Sequence, residues 1–128
     1  MIEFLTGFQD DIIAIAAHGE VTEEDYRKAL VPIVEEKLRR YQDVRLFIYL
    51  GPTFEGFTAG AMWQDTKLGI SHWSHWGCIA VVTNVTWITQ AVRLFAPLFR
   101  HAVRVFGNAD YDLARDWIMQ PEPIRRAA

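Results

Sequence analysis

Asp65, His72, His75 and Cys78 are spaced by seven, three and three residues. On an unbroken helix Asp65, His72 and His75 share one face and could offer three ligands to a divalent metal. Gly69 interrupts the segment, Trp73 and Trp76 crowd it, and no second Cys or acid follows nearby. Zinc sites need a better-defined ligand set. The metal reading therefore ranks below a plain amphipathic His/Trp segment, and no cofactor is expected. A Cys78–His75 nucleophile–base pair can be drawn on the same stretch, but a Cys at a strand start is usually buried and inert.

Gly51-Pro52-Thr53-Phe54-Glu55-Gly56-Phe57-Thr58 has the spacing of a phosphate-binding loop between a strand and a helix. Phe57 stands where the phosphate-reaching Lys belongs, and Glu55 would repel the anion. A turn with two packed Phe side chains is the better reading, and Thr58 is placed to cap the following helix. No Gly-x-Ser-x-Gly elbow, Cys-x-x-Cys pair or His-Glu-x-x-His helix occurs. The pairs Asp10-Asp11 and Glu23-Glu24 have turn and helix-start explanations. Nothing marks the chain as an enzyme.

The rest of the composition narrows the field. With 128 residues, 51% hydrophobic and 23% charged, the chain is one ordinary domain, expected over residues 1–120 with a C-terminal tail at 121–128. A formal net charge of −3 argues against a nucleic-acid partner. The single cysteine excludes an internal disulfide and fits a reducing compartment. The start lacks a signal-peptide pattern, and no apolar run approaches the ~18 residues of a membrane span. A cytoplasmic location is expected.

The elements that must position these residues follow from periodicity. Ile2–Leu5 and Ile12–Ala17 read as strands of an opening hairpin around Gly7–Asp11. Thr22 caps a helix whose apolar residues run from Tyr26 to Tyr41, with a kink expected at Pro32. Val44–Leu50 and Cys78–Thr83 read as central strands with both faces covered. Ile48 and Val81 are their expected core anchors. Gly51–Phe57 reads as a loop, and a helix follows from Thr58 through Met62, Trp63 and Thr66. Asn84 or Thr86 caps a third helix closed by Pro97, Ala102–Phe106 is a fifth strand, and Asn108 caps a last helix. The order ββαβαβαβα gives an α/β fold: one five-stranded mixed sheet, mostly parallel, with the first strand antiparallel at an edge.

In this order the sequence resembles the SpoIIAA-like family of small bacterial proteins, related in fold to STAS domains. The resemblance rests on Gly19 before Thr22-Glu23-Glu24-Asp25-Tyr26, Pro32 within the helix, Phe54-Glu55-Gly56-Phe57 and Trp63-Gln64-Asp65-Thr66-Lys67-Leu68-Gly69. It continues through Ile79-Ala80-Val81-Val82, Val103-Arg104-Val105-Phe106 and Ala114-Arg115-Asp116-Trp117-Ile118. It implies a mixed sheet surrounded by helices, a fold also likened to the lipid-binding CRAL-TRIO domain, and supplies no activity. One departure is Cys78, where such sequences often carry a basic residue. In STAS regulators a hydroxyl near Thr53 and Thr58 is a phosphorylation switch. The Asp-Ser pair of those regulators is missing here, so capping by Thr58 is the expectation.

The resulting functional reading is a non-catalytic STAS-like module. Its first form binds a small apolar or amphipathic, lipid-like ligand at the carboxyl ends of the parallel strands, where Phe54, Phe57, Trp63 and Trp87 would line a cleft. The competing reading makes these ordinary packing residues. The second form is a homodimerising or partner-docking protein that uses Trp87, Leu94, Phe95, Leu98 and Phe99, because that segment carries more apolar residues than one buried face needs. A metal-dependent enzyme using Asp65, His72 and His75 comes last.

Overall fold

The structure is a computed structural model that describes residues 1–62 and 75–120. Strands β1 (Ile2–Phe4), β2 (Ile12–Ala17), β4 (Val44–Leu50), β6 (Trp76–Thr83) and β7 (Val103–Phe106) form one sheet in the order β1-β2-β4-β6-β7. β1 pairs antiparallel with β2, and every other neighbour in this sheet is parallel. This is the mixed sheet expected from the sequence. β2 and β6 are buried along their whole lengths, as strands covered on both faces must be.

Successive strand residues point to opposite faces, so the sheet builds two cores. Ile13, Ile15, Ala17, Ile79 and Val81 meet Tyr26, Leu30, Val34 and Ile88 on one side. Ile12, Ala14, Phe47, Cys78, Ala80 and Val82 meet Ala114 and Ile118 on the other. Val81 is the anchor expected of it, whereas Ile48 is only partly buried at the rim of the first core. Its neighbour Phe47 is fully enclosed and anchors the second core.

Two elements were not legible as strands. β3 (Gly19–Val21) and β5 (Phe54–Phe57) form a separate parallel pair, so Gly51–Phe57 is part strand where the sequence predicts a loop. The pair is three or four residues long and Gly-containing, too short for an alternation signal. Gly19 at φ +61° and Gly56 at φ +138° take backbone conformations that L side chains avoid.

Thr22 closes a capping box with Asp25, each side chain bonding the other's backbone N–H, and the Thr22 N–H lowers the Asp25 carboxyl pKa. α1 (Glu23–Asp25) then widens into a π-helical turn at Tyr26–Leu30 before α2 (Val31–Arg40). The sequence predicts a kink at Pro32; the structure has this π-helical turn just ahead of it. Val31 donates to the Tyr26 carbonyl five residues back, and Pro32 sits in the first turn of α2, where its missing N–H is harmless.

α3 (Thr86–Phe95) runs into a 3-10 turn at Ala96–Leu98 that contains Pro97. Neither Asn84 nor Thr86 caps α3. Val85 occupies the N-cap without a side-chain bond, and the Asn84 amide oxygen instead accepts from Asn108 N–H at 2.9 Å. Asn108 likewise opens a 3-10 turn, Asn108–Asp110, rather than capping α4 (Tyr111–Met119).

Polar staples fasten the hairpin turn to both layers. Asp10 accepts from Lys37 at 2.9 Å and Arg40 at 3.1 Å, and also from the Tyr41 hydroxyl. Lys37 and then Tyr41 hold its carboxyl down at about 2. Arg45, charged and yet buried on β4, donates to the Ile118 and Gln120 carbonyls at the end of α4 and to Gln9 and Asp11 in the turn.

Candidate functional site

The parallel strands deliver their carboxyl ends to one rim of the sheet, the place where open α/β sheets bind ligands. β2 ends at Ala17, just ahead of His18, and β4 runs into the turn Gly51–Thr53. Three backbone bonds fix this corner. The His18 N–H donates to Met1 O at 2.8 Å, the Gly19 N–H to Thr53 O at 2.7 Å, and the Phe54 N–H to Gly51 O at 3.0 Å. Gly51 leaves room for the Tyr49 ring: a Cβ here would lie 2.5 Å from its hydroxyl end, so the ring would have to shift to admit one.

On this frame His18 bridges two side chains. Its Nδ1 lies 2.6 Å from the Thr53 hydroxyl and its Nε2 lies 2.7 Å from Glu3 Oε1. With Nε2–H donating to the carboxylate, Nδ1 is left bare to accept the Thr53 proton. The three residues come from β1, the end of β2 and the β4–β5 turn. Thr53 was singled out from the sequence; His18 and Glu3 were not. The only local signal was a polar residue at the end of an apolar strand.

Phe54 and Phe57 pack on each other at 5.0 Å between ring centroids, and Phe57 also faces Tyr26 at 6.4 Å. Both are half-buried against the first core. Trp87 sits near the start of α3 and is 50% exposed, in ring contact with neither Phe among the described residues. Trp63 lies outside the described residues.

Thr58 accepts from the Ala61 N–H at 3.1 Å at the head of a helix described over residues 59–62. That is a capping bond. Thr58→Ala is accordingly expected to lower unfolding free energy by about 1 kcal/mol, read from urea melts. An unchanged midpoint would show that the helix head is held by other contacts.

Asp65 and His72 of the expected metal trio lie outside the described residues. His75 is exposed ahead of β6, with Nδ1 3.3 Å from the Gln42 carbonyl. Among the described residues no group of three His, Cys, Asp or Glu could hold an ion. Cys78 is buried in the second core while His75 faces out, so the two do not form an exposed reactive pair.

A second surface lies on α3 and the turn after it. Trp87, Leu94, Phe95 and Leu98 are all at least half exposed, and Leu94 reaches 71%. Trp87, Ala91 and Leu94 recur at helical spacing, while Ile88 and Val92 face the first core. Thr86, Gln90 and Arg93 form the polar edge. No acidic residue lies between Asp65 and Asp110. Of the arginines in that interval, Arg93 lies on α3 and Arg100 follows the turn, whereas Arg104 stacks over Phe106 and Trp117 on the other face of the sheet. This charge asymmetry is a sequence signal that total net charge conceals.

The SpoIIAA-like family model matches residues 12–119, which takes in His18, Thr53 and α3 but not Glu3. The chain belongs to the SpoIIAA-like family. It is similar in structure to an uncharacterized protein of the DUF3478 family with a SpoIIAA-like fold from Shewanella loihica PV-4. That likeness has a TM-score of 0.72 at 24% identity and covers 91% of this chain and 93% of the other. It speaks for the fold alone. No curated protein matches the sequence. No helix among the described residues is long and apolar enough to cross a membrane.

Proposed function

We propose that this SpoIIAA-like chain is a non-catalytic docking module, a single domain over residues 1–120, that settles on an anionic lipid surface through α3 and the turn after it. The observation that carries this is the exposed row Trp87, Leu94, Phe95 and Leu98 inside an acid-free, arginine-bearing segment. Burying a Leu or Phe side chain contributes roughly 1.5–3 kcal/mol each. Trp, Phe and Leu beside Arg is the composition of helices that lie in a lipid interface. Basic residues near anionic headgroups add about 1 kcal/mol each.

The charge also weighs against the homodimer form of this reading. A second copy docked on α3 would meet the same arginine-bearing, acid-free segment and so would bring no carboxylate from it to pair with Arg93. The amphipathic-ligand cleft draws less support, since Phe54 and Phe57 are satisfied by each other and by Tyr26.

Sedimentation with vesicles of phosphatidylglycerol mixed into phosphatidylcholine tests the proposal. Binding is expected to rise with the anionic fraction, fall with salt, and weaken at least about tenfold in Leu94→Asp, with circular dichroism unchanged. A protein that ignores such vesicles but forms a concentration-dependent dimer by light scattering would replace lipid with a second copy. Saturable Trp fluorescence changes with fatty acids, lost in Phe57→Asp, would restore the cleft.

A further inference from the structure

We propose that Thr53, His18 and Glu3 form a hydroxyl–imidazole–carboxylate relay in which Thr53 accepts an acyl group from an activated ester. The inference is independent of the docking surface, which lies on another element, and it concerns one self-acylation per chain without turnover, so it leaves the non-catalytic docking reading in place. It rests on geometry of the kind that activates hydroxyl nucleophiles. The nucleophile lies within hydrogen-bond reach of a base, and the base is oriented by a third group through its other ring nitrogen. Here the two bonds are 2.6 Å and 2.7 Å.

Several features favour chemistry over a plain staple. Thr53 is exposed in a turn at the carboxyl ends of two adjacent parallel strands, where a substrate can approach. His18 and Thr53 are each pinned by backbone bonds, so the hydroxyl and imidazole meet without ordering a flexible loop. Glu3 reaches His18 from β1, whose register sets Glu3 opposite Ala16. Each member is therefore placed by a regular element or a bonded turn. The half-buried Phe54, next to Thr53 in sequence, offers an apolar neighbour for a short acyl chain.

The step balances without an added reactant. Thr53 Oγ forms a bond to the ester carbonyl carbon as its proton passes to His18 Nδ1. Collapse of the tetrahedral adduct breaks the carbon–oxygen bond to the leaving group, and that group departs with the proton from His18. The products are acyl-Thr53 and a free alcohol or phenol. Glu3 accepts from Nε2–H throughout and steadies the imidazolium that forms between the two proton transfers. Glu3 is thus a positioning residue, and Thr53 and His18 touch the reacting atoms.

The experiment uses p-nitrophenyl acetate as probe, with nitrophenolate release followed by absorbance and the acetyl group located by peptide mass spectrometry. One acetyl is expected on Thr53, retained in Thr53→Ser and absent in Thr53→Ala. His18→Gln preserves a donor and an acceptor between the same neighbours but cannot take the proton. It should slow acetylation of Thr53 about 100-fold while leaving the melting temperature near that of the parent. Glu3→Gln should slow it about tenfold or more. Acetyl found only on the N-terminal amine or lysines would overturn the proposal. So would an unchanged rate at Thr53 in His18→Gln, because the three residues would then be a structural tie between β1 and the β4–β5 turn.

Discussion

Phe47→Ala is expected to lower unfolding free energy by about 3–5 kcal/mol, a large share of the stability a domain of this size has. Phe47 is fully buried at the middle of β4, between β2 and β6. Phe8 lies 5.0 Å from its ring, and Tyr111 stands edge-on at 5.4 Å. Its neighbours in the second core include Ala14, Ala80 and Ala114. Alanines cannot move inward to fill a vacated ring, so most of the cavity would stay open. The strand above is held by β-ladder bonds on both edges and cannot collapse either. Val81→Ala, in the other core, should cost about 2–3 kcal/mol, since it removes fewer atoms from a site ringed by larger, adaptable side chains. Urea denaturation with an unchanged slope reads both values. A loss below about 1 kcal/mol in Phe47→Ala would contradict the two-core description of the sheet.

The contrast between Phe47 and Ile48 shows how far the sequence carries. The run Val44–Leu50 declares a strand, and its apolar density declares two covered faces, but it does not say which face is covered more completely. That depends on where helices land. α4 seals Phe47, whereas Ile48 lies toward the margin of the helices on the opposite face. Long runs such as β2, β4 and β6, and the Thr22 cap, were legible because their signals are local. β3 and β5 were not, because each exists only by pairing with the other across more than thirty residues. His18, Thr53 and Glu3 are likewise distant in sequence, and no spacing rule links them. The α3 surface was half legible. Its surplus of apolar residues was visible, while the side left open needed the packed structure.

Arg45 carries the second large effect, and it reverses the usual reading of a charge inside an apolar strand. Its side chain is 9% exposed, and its donors are matched to fixed acceptors. Nη1 donates to Ile118 O at 2.7 Å and Gln120 O at 2.8 Å, while Nη2 donates to Gln9 Oε1 at 2.8 Å and to both Asp11 oxygens. The first two are carbonyls at the carboxyl end of α4, where helices leave acceptors unpaired and the dipole favours a cation. The guanidinium therefore closes α4 and joins it to the hairpin turn. Arg45→Ala removes every one of those bonds. The Asp11 carboxylate is about a third exposed and can recover water, so the main loss comes from the helix-end carbonyls and the vacated volume. A destabilisation of about 2–4 kcal/mol is expected, with Asp11→Asn nearer 1 kcal/mol. Arg45→Met separates the parts: it keeps much of the volume, so whatever destabilisation it shares with Arg45→Ala belongs to the lost bonds. Hydrogen exchange should localise the damage, with α4 amides losing protection well before those of β2 and β6. If α4 keeps its protection in Arg45→Ala, the helix is held by Ala114 and Ile118 in the second core, and Arg45 serves the hairpin turn alone.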